Sequence, residues 1–133
     1  MSILYDGAQY ADQIETDLYN NILGGVNFNG DKFYYENRIC TTKAFDRKEW
    51  YGTACCPPNL TRTILQVGGY IYNTTSNAIY VNQYITNDAT FSFGDHTDTN
   101  VKISSNLPYG HNGEITVTPK ATGTFDVYLR MPS

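Results

Sequence analysis

The sequence has little positive charge and no long apolar run, and both absences narrow the functions open to it. Nine Lys and Arg residues stand against 13 Asp and Glu residues, which gives a net charge of -4, and the basic residues are scattered. Because proteins that bind nucleic-acid phosphates cluster their basic residues, we expect no nucleic-acid partner. No apolar run approaches the roughly 18 residues of a membrane span, so we expect no membrane partner.

Cysteine is scarce as well, with Cys40, Cys55 and Cys56 the three present. An odd number cannot all be paired in disulfides, and adjacent cysteines are poor partners for a relaxed bridge. This favours a reducing compartment or a bound metal. The segment Met1–Asp6 lacks the basic start and apolar centre of an export signal, so no signal peptide is expected in the chain. The predicted location is therefore the cytoplasm, although the sequence does not determine it.

Two stretches of the first half have helical periodicity. Residues 8–23 repeat apolar side chains at three- and four-residue spacing, and Gly24-Gly25 ends the run. Pro57 and Pro58 suit the first turn of a second helix that extends to Val67. The sequence therefore predicts one long and one short helix before residue 68.

The residues between these helices predict a hairpin and a loop. Val26–Asn37 alternates weakly about Asn29-Gly30, and Asn-Gly is a strong signal for a two-residue hairpin turn. Residues 38–56 are polar and irregular, which is typical of an active-site loop.

After residue 68 the apolar period changes to two, as in half-buried strands. Turn clusters separate six short runs, which indicates an antiparallel sandwich and, with the helices, an α+β fold. In the last run the odd-numbered residues from Phe125 to Met131 should point inward, and the even-numbered ones from Asp126 to Arg130 outward. The predicted strands are 70–73, 78–86, 90–93, 101–105, 114–118 and 124–131.

The most specific feature is the vicinal thiol pair in Cys55-Cys56-Pro57-Pro58-Asn59. Buried cysteines that serve only packing come singly, and the prolines fix φ beside the two thiols. The pair therefore indicates a functional site.

This run resembles the Cys-Cys-Pro-Pro-Asn signature of the β-L-arabinofuranosidase family of glycoside hydrolases. The similarity continues in Tyr10–Leu23, Phe33–Asn37 and Phe125–Pro132, which are similar to a helix, a strand and the closing strand of the family. The resemblance implies that 1–68 is a remnant of a helical catalytic barrel and 69–133 a β-sandwich. At 133 residues, roughly one domain, the chain is expected to be an excised middle of such a protein.

The same resemblance implies a retaining glycosidase. Cys55 aligns with the family's nucleophile and Cys56 with a zinc ligand beside it. A thiol with a pKa of about 8.5 is mostly protonated at neutral pH, and zinc would favour the attacking thiolate. Within this chain, Cys40 is the predicted third zinc ligand beside Cys55 and Cys56.

The sequence also offers candidates for the other roles of a glycosidase site. Glu36 and Glu49 are the glutamates nearest to the cysteines along the chain, so they are the predicted acid/base residues. The resemblance implies that the family's own acid/base glutamate and its other zinc ligands belong to motifs upstream of this region, and those motifs are not in this sequence. Tyr34 and Tyr35 lie on a segment similar to a substrate-lining strand, where a phenol could donate to a sugar hydroxyl. The alternative is that both are ordinary strand aromatics.

Two functions follow from these residues. One is hydrolysis of terminal pentosides such as β-L-arabinofuranosides, with β-xylosides or β-glucosides as further substrates; an oligosaccharide or glycoside would then be the partner. The other is a non-catalytic carbohydrate-binding or structural β-sandwich. In either case the apolar face of the first helix, formed by Ala11, Ile14, Leu18 and Ile22, is predicted to be exposed and to pair in a homo-oligomer.

Overall fold

A computed structural model of the protein describes residues 7–36 and 38–132. It confirms the predicted α+β class, with helices in the first half and short strands in the second. These residues form two compact units, one of residues 12–67 and the other of residues 7–11 with 68–132. The helices are α1 (Ala8–Asp17), α2 (Cys56–Leu65) and α3 (Gly68–Ile71), and the strands are β1 (Tyr72–Thr74), β2 (Ala78–Val81), β3 (Asn87–Phe93), β4 (His96–Ser105), β5 (Gly113–Thr118) and β6 (Asp126–Leu129).

The first predicted helix is confirmed, but its second half is not α-helical. After α1 the backbone widens into a π-helical turn over Leu18–Ile22, where the Leu23 N–H donates to the Leu18 carbonyl, and a 3₁₀ turn follows over Leu23–Gly25. Asn20 donates to the Thr16 carbonyl at 3.0 Å, and such side chains compete with the helical backbone ladder. None of the helices in the described ranges is long and apolar enough to cross a membrane.

The apolar face of this helical segment is more covered than the sequence predicted. Ala11 is buried, and Ile14, Leu18 and Ile22 are half-buried. The prediction of an exposed apolar helix face was therefore wrong. Among residues 7–36 and 38–132, the large apolar side chains with the greatest exposure lie elsewhere, at Phe28, Ile39, Leu65, Tyr109 and Met131.

The predicted hairpin is reduced to a turn with single bridges. Val26 pairs with Phe33, and Phe33 pairs on its other side with Lys48, but no ladder extends from either bridge in residues 26–36. The Asn27 side chain accepts hydrogen bonds from the backbone N–H groups of Asp31 and Lys32 at 3.0 and 2.9 Å. This side chain satisfies donors that a hairpin ladder would have used. The last predicted hairpin residue, Asn37, lies outside the described residues.

The six strands form two three-stranded sheets with one core. The first sheet has the order β1-β2-β6 and the second β3-β4-β5. Apolar side chains of both sheets share a buried cluster, which makes the unit a sandwich. The buried members of this cluster are Ile71, Tyr72, Ile79, Val81, Phe93, Val101 and Ile103.

One strand pair of the sandwich is parallel, although the alternating pattern predicted antiparallel pairing. β6 lies parallel to β2, with Ile79 opposite Val127 and Val81 opposite Leu129. β6 arrives after the whole second sheet has been traversed, so no tight turn constrains it to run antiparallel to its neighbour.

The predicted orientation of the last strand holds for Phe125, which packs against the core, but is wrong for residues that follow it. Val127, Leu129 and Met131 are 38%, 51% and 79% exposed, whereas Arg130 is buried. The Arg130 Nε donates to the Asn82 carbonyl at 2.5 Å, and Tyr84 donates to the Arg130 carbonyl. Alternation identifies the two faces of a strand. In the edge strand β6, the hydrogen bonds of Arg130 determine which residue at its C-terminal end is buried.

Candidate active site

The cysteine pair lies at the beginning of α2, within the unit of residues 12–67. Cys55 precedes the helix, Cys56 begins it, and Pro57 and Pro58 occupy its first turn, where a missing backbone N–H costs no helical hydrogen bond. The Asn59 side chain donates to the Cys55 carbonyl at 3.0 Å, and Arg62 donates to the Asn59 side chain at 2.7 Å. The local sequence therefore fixes the backbone that carries both thiols.

The phenol of Tyr35 approaches the first thiol. Its oxygen lies 3.0 Å from the Cys55 sulfur, and the Cys56 sulfur lies 3.6 Å from the same atom. The sulfur atoms of a disulfide are about 2.05 Å apart, and both cysteines are free thiols, with Cys55 exposed and Cys56 half-buried. Cys55 is thus a solvent-accessible sulfur held between two hydrogen-bond partners.

These contacts separate the pKa values of the three groups. The hydrogen bond from Tyr35, then that from Cys56, lowers the pKa of Cys55, because both stabilise the thiolate. Nearby backbone N–H groups at the start of α2 act in the same direction. The same hydrogen bond raises the pKa of Tyr35 to about 12, and the hydrogen bond to Cys55 followed by desolvation raises the pKa of Cys56. Cys55 is therefore the first of the three to lose its proton.

Tyr51 holds Tyr35 in place, a role that the sequence did not reveal. The Tyr51 hydroxyl accepts a hydrogen bond from the Tyr35 backbone N–H at 3.1 Å and donates to the Phe33 carbonyl at 2.9 Å. The rings of Tyr35 and Tyr51 are 5.3 Å apart. Tyr51 is close to Cys55 in sequence, but its contact with the segment 33–35 exists only in the folded chain.

Tyr34 contacts a different set of residues from Tyr35. Its hydroxyl donates to the Phe45 carbonyl at 3.2 Å, and its ring stacks on Phe45 at 5.0 Å. The Arg47 guanidinium lies 4.2 Å from the Tyr34 ring and donates to the Gly24 carbonyl at 2.7 Å. The structure thus brings Tyr35 to the cysteines, while the Tyr34 phenol is engaged in packing; its binding role remains a prediction.

The described residues of this unit line cavities of different character. A cavity of about 380 Å³ has Tyr35, Glu36, Arg38, Lys48, Tyr51 and Thr53 in its wall. A more apolar groove of about 600 Å³ is lined by Trp50, both prolines of α2 and Leu65, among others. The first cavity shares Tyr35 with the thiol site.

The two predicted acid/base carboxylates occupy different surroundings. Glu36 lines the cavity of about 380 Å³, and its charge contributes to the raised pKa of Cys56. Its carboxylate is 3.9 Å from the Arg38 Nε. Glu49 is exposed and is not among the residues lining either cavity. Glu36 is thus the carboxylate that the structure brings near the cysteine pair.

The predicted zinc site is incomplete within the described residues. Residues 7–36 and 38–132 contain no group of three or more His, Cys, Asp or Glu side chains able to hold a metal ion. Cys40 is an exposed free thiol and does not join Cys55 and Cys56 in such a group. Because zinc takes three or four protein ligands, the pair alone does not fit a zinc centre.

Comparisons with known proteins agree with the motif. A family model described as beta-L-arabinofuranosidase, GH127 catalytic domain, matches residues 1–69. A non-reducing end beta-L-arabinofuranosidase of Bifidobacterium longum subsp. longum is 33% identical over 129 residues, which covers 87% of this chain and 19% of that protein. The chain thus spans about a fifth of the length of this curated relative.

Solved structures give the same result. A GH127 beta-L-arabinofuranosidase from Geobacillus stearothermophilus T6 superimposes with a TM-score of 0.85 at 32% identity, over 97% of this chain and 22% of that one. A second GH127 beta-arabinofuranosidase gives a TM-score of 0.87 at 31% identity, over 97% and 20% of the two chains. With the family model covering half of the sequence, this chain belongs to the GH127 beta-L-arabinofuranosidase catalytic-domain family.

Proposed function

We propose that this protein takes part in retaining hydrolysis of terminal β-L-arabinofuranosides, with Cys55 as the nucleophile. The observation that carries the proposal is the exposed Cys55 sulfur, which lies 3.0 Å from the Tyr35 hydroxyl, within hydrogen-bond distance. The relatives that it matches are named as beta-L-arabinofuranosidases. The β-xylosides and β-glucosides belong to the same proposal as further substrates.

The proposed first step is a displacement at the anomeric carbon. The Cys55 thiolate forms a carbon–sulfur bond while the glycosidic carbon–oxygen bond breaks, and a carboxylic acid protonates the departing oxygen. In the second step the resulting carboxylate takes a proton from water, whose oxygen displaces the sulfur and restores both groups. For this acid/base role we propose Glu36 in preference to Glu49, because the charge of Glu36 acts on the pKa of Cys56.

Tyr35 supports the nucleophile in this scheme. Its phenol donates to the thiolate in the free enzyme, which increases the fraction of Cys55 that is ionised at neutral pH. In the glycosylated intermediate the sulfur carries no charge, so this hydrogen bond weakens and regains its strength as the thiolate departs. Zinc remains a separate proposal, with Cys56 and Cys55 as two ligands, and no step above passes through it.

The test replaces Cys55 by Ser in the 133-residue chain and measures release of nitrophenol from 4-nitrophenyl β-L-arabinofuranoside, β-xyloside and β-glucoside. We expect loss of turnover in this variant and retention in the matched Cys40→Ser variant, since Cys40 does not join the cysteine pair. Mass spectrometry of the wild-type chain quenched during turnover should find a pentosyl adduct on the peptide that contains Cys55.

Unchanged turnover in Cys55→Ser would contradict the cysteine nucleophile. Absence of any turnover in the wild-type chain, together with binding of the same glycosides, would favour the alternative function of a non-catalytic carbohydrate-binding sandwich.

A further inference from the structure

The cavity of about 380 Å³ carries more charge than a site for neutral sugars needs. Two cations, Arg38 and Lys48, and one carboxylate, Glu36, belong to its wall. The formal charge of these three groups sums to one positive unit. The cavity is therefore electrostatically matched to a ligand with a single negative charge.

The Arg38 guanidinium is held in position but keeps donors for a ligand. Its central carbon lies 4.0 Å from the centre of the Phe45 ring, a cation–π contact that favours this position. Its nearest carboxylate in the described part of the chain, Glu36, is 3.9 Å from Nε, longer than a hydrogen bond. A guanidinium has five N–H donors in a planar fork that matches the two oxygens of a carboxylate.

Lys48 is positioned as the second cation. Its backbone N–H and carbonyl both pair with Phe33, at 2.9 and 2.8 Å, so the residue cannot move independently of the segment that carries Tyr35. Its ammonium lies 5.7 Å from the Tyr51 ring. Lys48 and Arg38 therefore both contribute a cation to the wall of this cavity.

The cavity also adjoins the proposed nucleophile. Tyr35 lines it and at the same time contacts the Cys55 sulfur, and Thr53 in its wall is two residues from Cys55. A ligand in this cavity would therefore lie next to a sugar whose anomeric carbon faces Cys55. Glu36, proposed above as the acid that protonates the departing oxygen, also lines this cavity.

We propose that this cavity binds an acidic sugar, a hexuronate, through its carboxylate, and that it is the leaving-group subsite of the enzyme. The placement as a leaving-group subsite rests on the function proposed above, whereas the binding of the acidic sugar does not. A carboxylate suits the site because its single charge balances the net charge of these three groups, and its two oxygens match the fork of the Arg38 guanidinium. Arg38 supplies the paired hydrogen bonds, and Lys48 adds a point charge.

The test measures binding of D-galacturonate, D-galactose and inorganic phosphate to the full chain by titration calorimetry or ligand-observed NMR. Galactose is the matched neutral sugar, since a hydroxymethyl group replaces the carboxylate. We expect galacturonate to bind at least about tenfold more tightly than galactose, in keeping with charge-assisted hydrogen bonds. Arg38→Gln should bring the two sugars to equal affinity, and Lys48→Gln should reduce the difference.

The control is Lys102→Gln, which removes one positive charge from β4 and not from this cavity. It should leave the preference for galacturonate unchanged. Equal affinity for galacturonate and galactose, an equal loss in Lys102→Gln, or a phosphate affinity as high as that for galacturonate would each overturn the proposal. The same titration in Cys55→Ser keeps the two proposals distinguishable, because acidic-sugar binding should persist there whether or not Cys55 is the nucleophile.

Discussion

At the scale of single residues, the chemistry of this chain depends on which hydrogen bonds reach each of two neighbouring thiols. Cys55 and Cys56 are identical side chains one residue apart, yet the pKa of the first is lowered and that of the second is raised. Hydrogen bonds from Tyr35 and Cys56 stabilise the Cys55 thiolate and lower its pKa. The hydrogen bond to Cys55 favours the protonated form of Cys56 and raises its pKa. Proton loss from the pair therefore begins at Cys55.

Replacement of Tyr35 by Phe should raise the pKa of Cys55, because it removes the hydrogen bond that contributes most to the lowered value. The thiolate fraction at neutral pH then falls, and alkylation of Cys55 by iodoacetamide should slow several-fold and reach its plateau at higher pH. The measurement is the pH dependence of adduct formation on the Cys55 peptide by mass spectrometry.

The matched control is Tyr34→Phe, which removes a phenol that donates to the Phe45 carbonyl and not to sulfur. Its alkylation profile should overlay that of the wild type. Identical profiles for Tyr35→Phe and the wild type would show that the phenol has no influence on the thiol.

At the scale of elements, the connection between β3 and β4 has the strictest requirement for a particular residue. Gly94 has φ of +52°, and a Cβ at this position would collide with the Ser76 carbonyl oxygen. Both the left-handed conformation and the close backbone neighbour require glycine.

Gly94→Ala should therefore destabilise the chain by more than about 1 kcal/mol, since the backbone of either segment must shift. Gly113→Ala is the control within the same unit, because a Cβ at Gly113 meets nothing closer than 3.8 Å. Its free energy of unfolding should change by no more than about 0.5 kcal/mol. Urea denaturation of the two variants compares them, and equal stabilities would contradict the strain argument.

At the scale of the whole molecule, stability depends on one core shared by two sheets. Ile79 in β2 is fully buried, whereas Val127, its neighbour in register on β6, is 38% exposed. The two residues are adjacent in the same sheet, but only the first contributes to the central apolar cluster. The predicted homo-oligomer remains a prediction, and its interface no longer rests on an exposed face of the first helix.

Ile79→Ala should cost about 2–5 kcal/mol of unfolding free energy, the range for truncating a buried aliphatic side chain. Val127→Ala should cost less than about 1 kcal/mol, because little apolar area is lost from the interior. Chemical denaturation followed by the fluorescence of the sheet tyrosines would measure both. A cost for Val127→Ala equal to that for Ile79→Ala would contradict the assignment of the core.

The sequence by itself determined the local features of this protein. Pro57 and Pro58 specify a helix that begins at the cysteines, Gly24-Gly25 ends the first helical segment, and the period of two identifies the strands that follow α3. The helical turn of α3 itself, at the start of the predicted strand 70–73, was not predicted. The Cys-Cys-Pro-Pro-Asn run was sufficient to identify the family, which the comparisons confirmed. The helix boundaries and the strands depend on φ restriction, capping and periodicity, which act over a few residues.

Only the tertiary structure decided which distant residues meet. It selected Tyr35 over Tyr34 as the partner of Cys55, brought Tyr51 against the backbone of Tyr35, and placed β6 parallel to β2 with Arg130 buried. Alternation in sequence gives two faces without saying which is inside, and hydrogen bonds between residues 16 to 48 positions apart have no local signature. The local sequence therefore determines the position of the two thiols, whereas the tertiary structure determines which groups shift their pKa values.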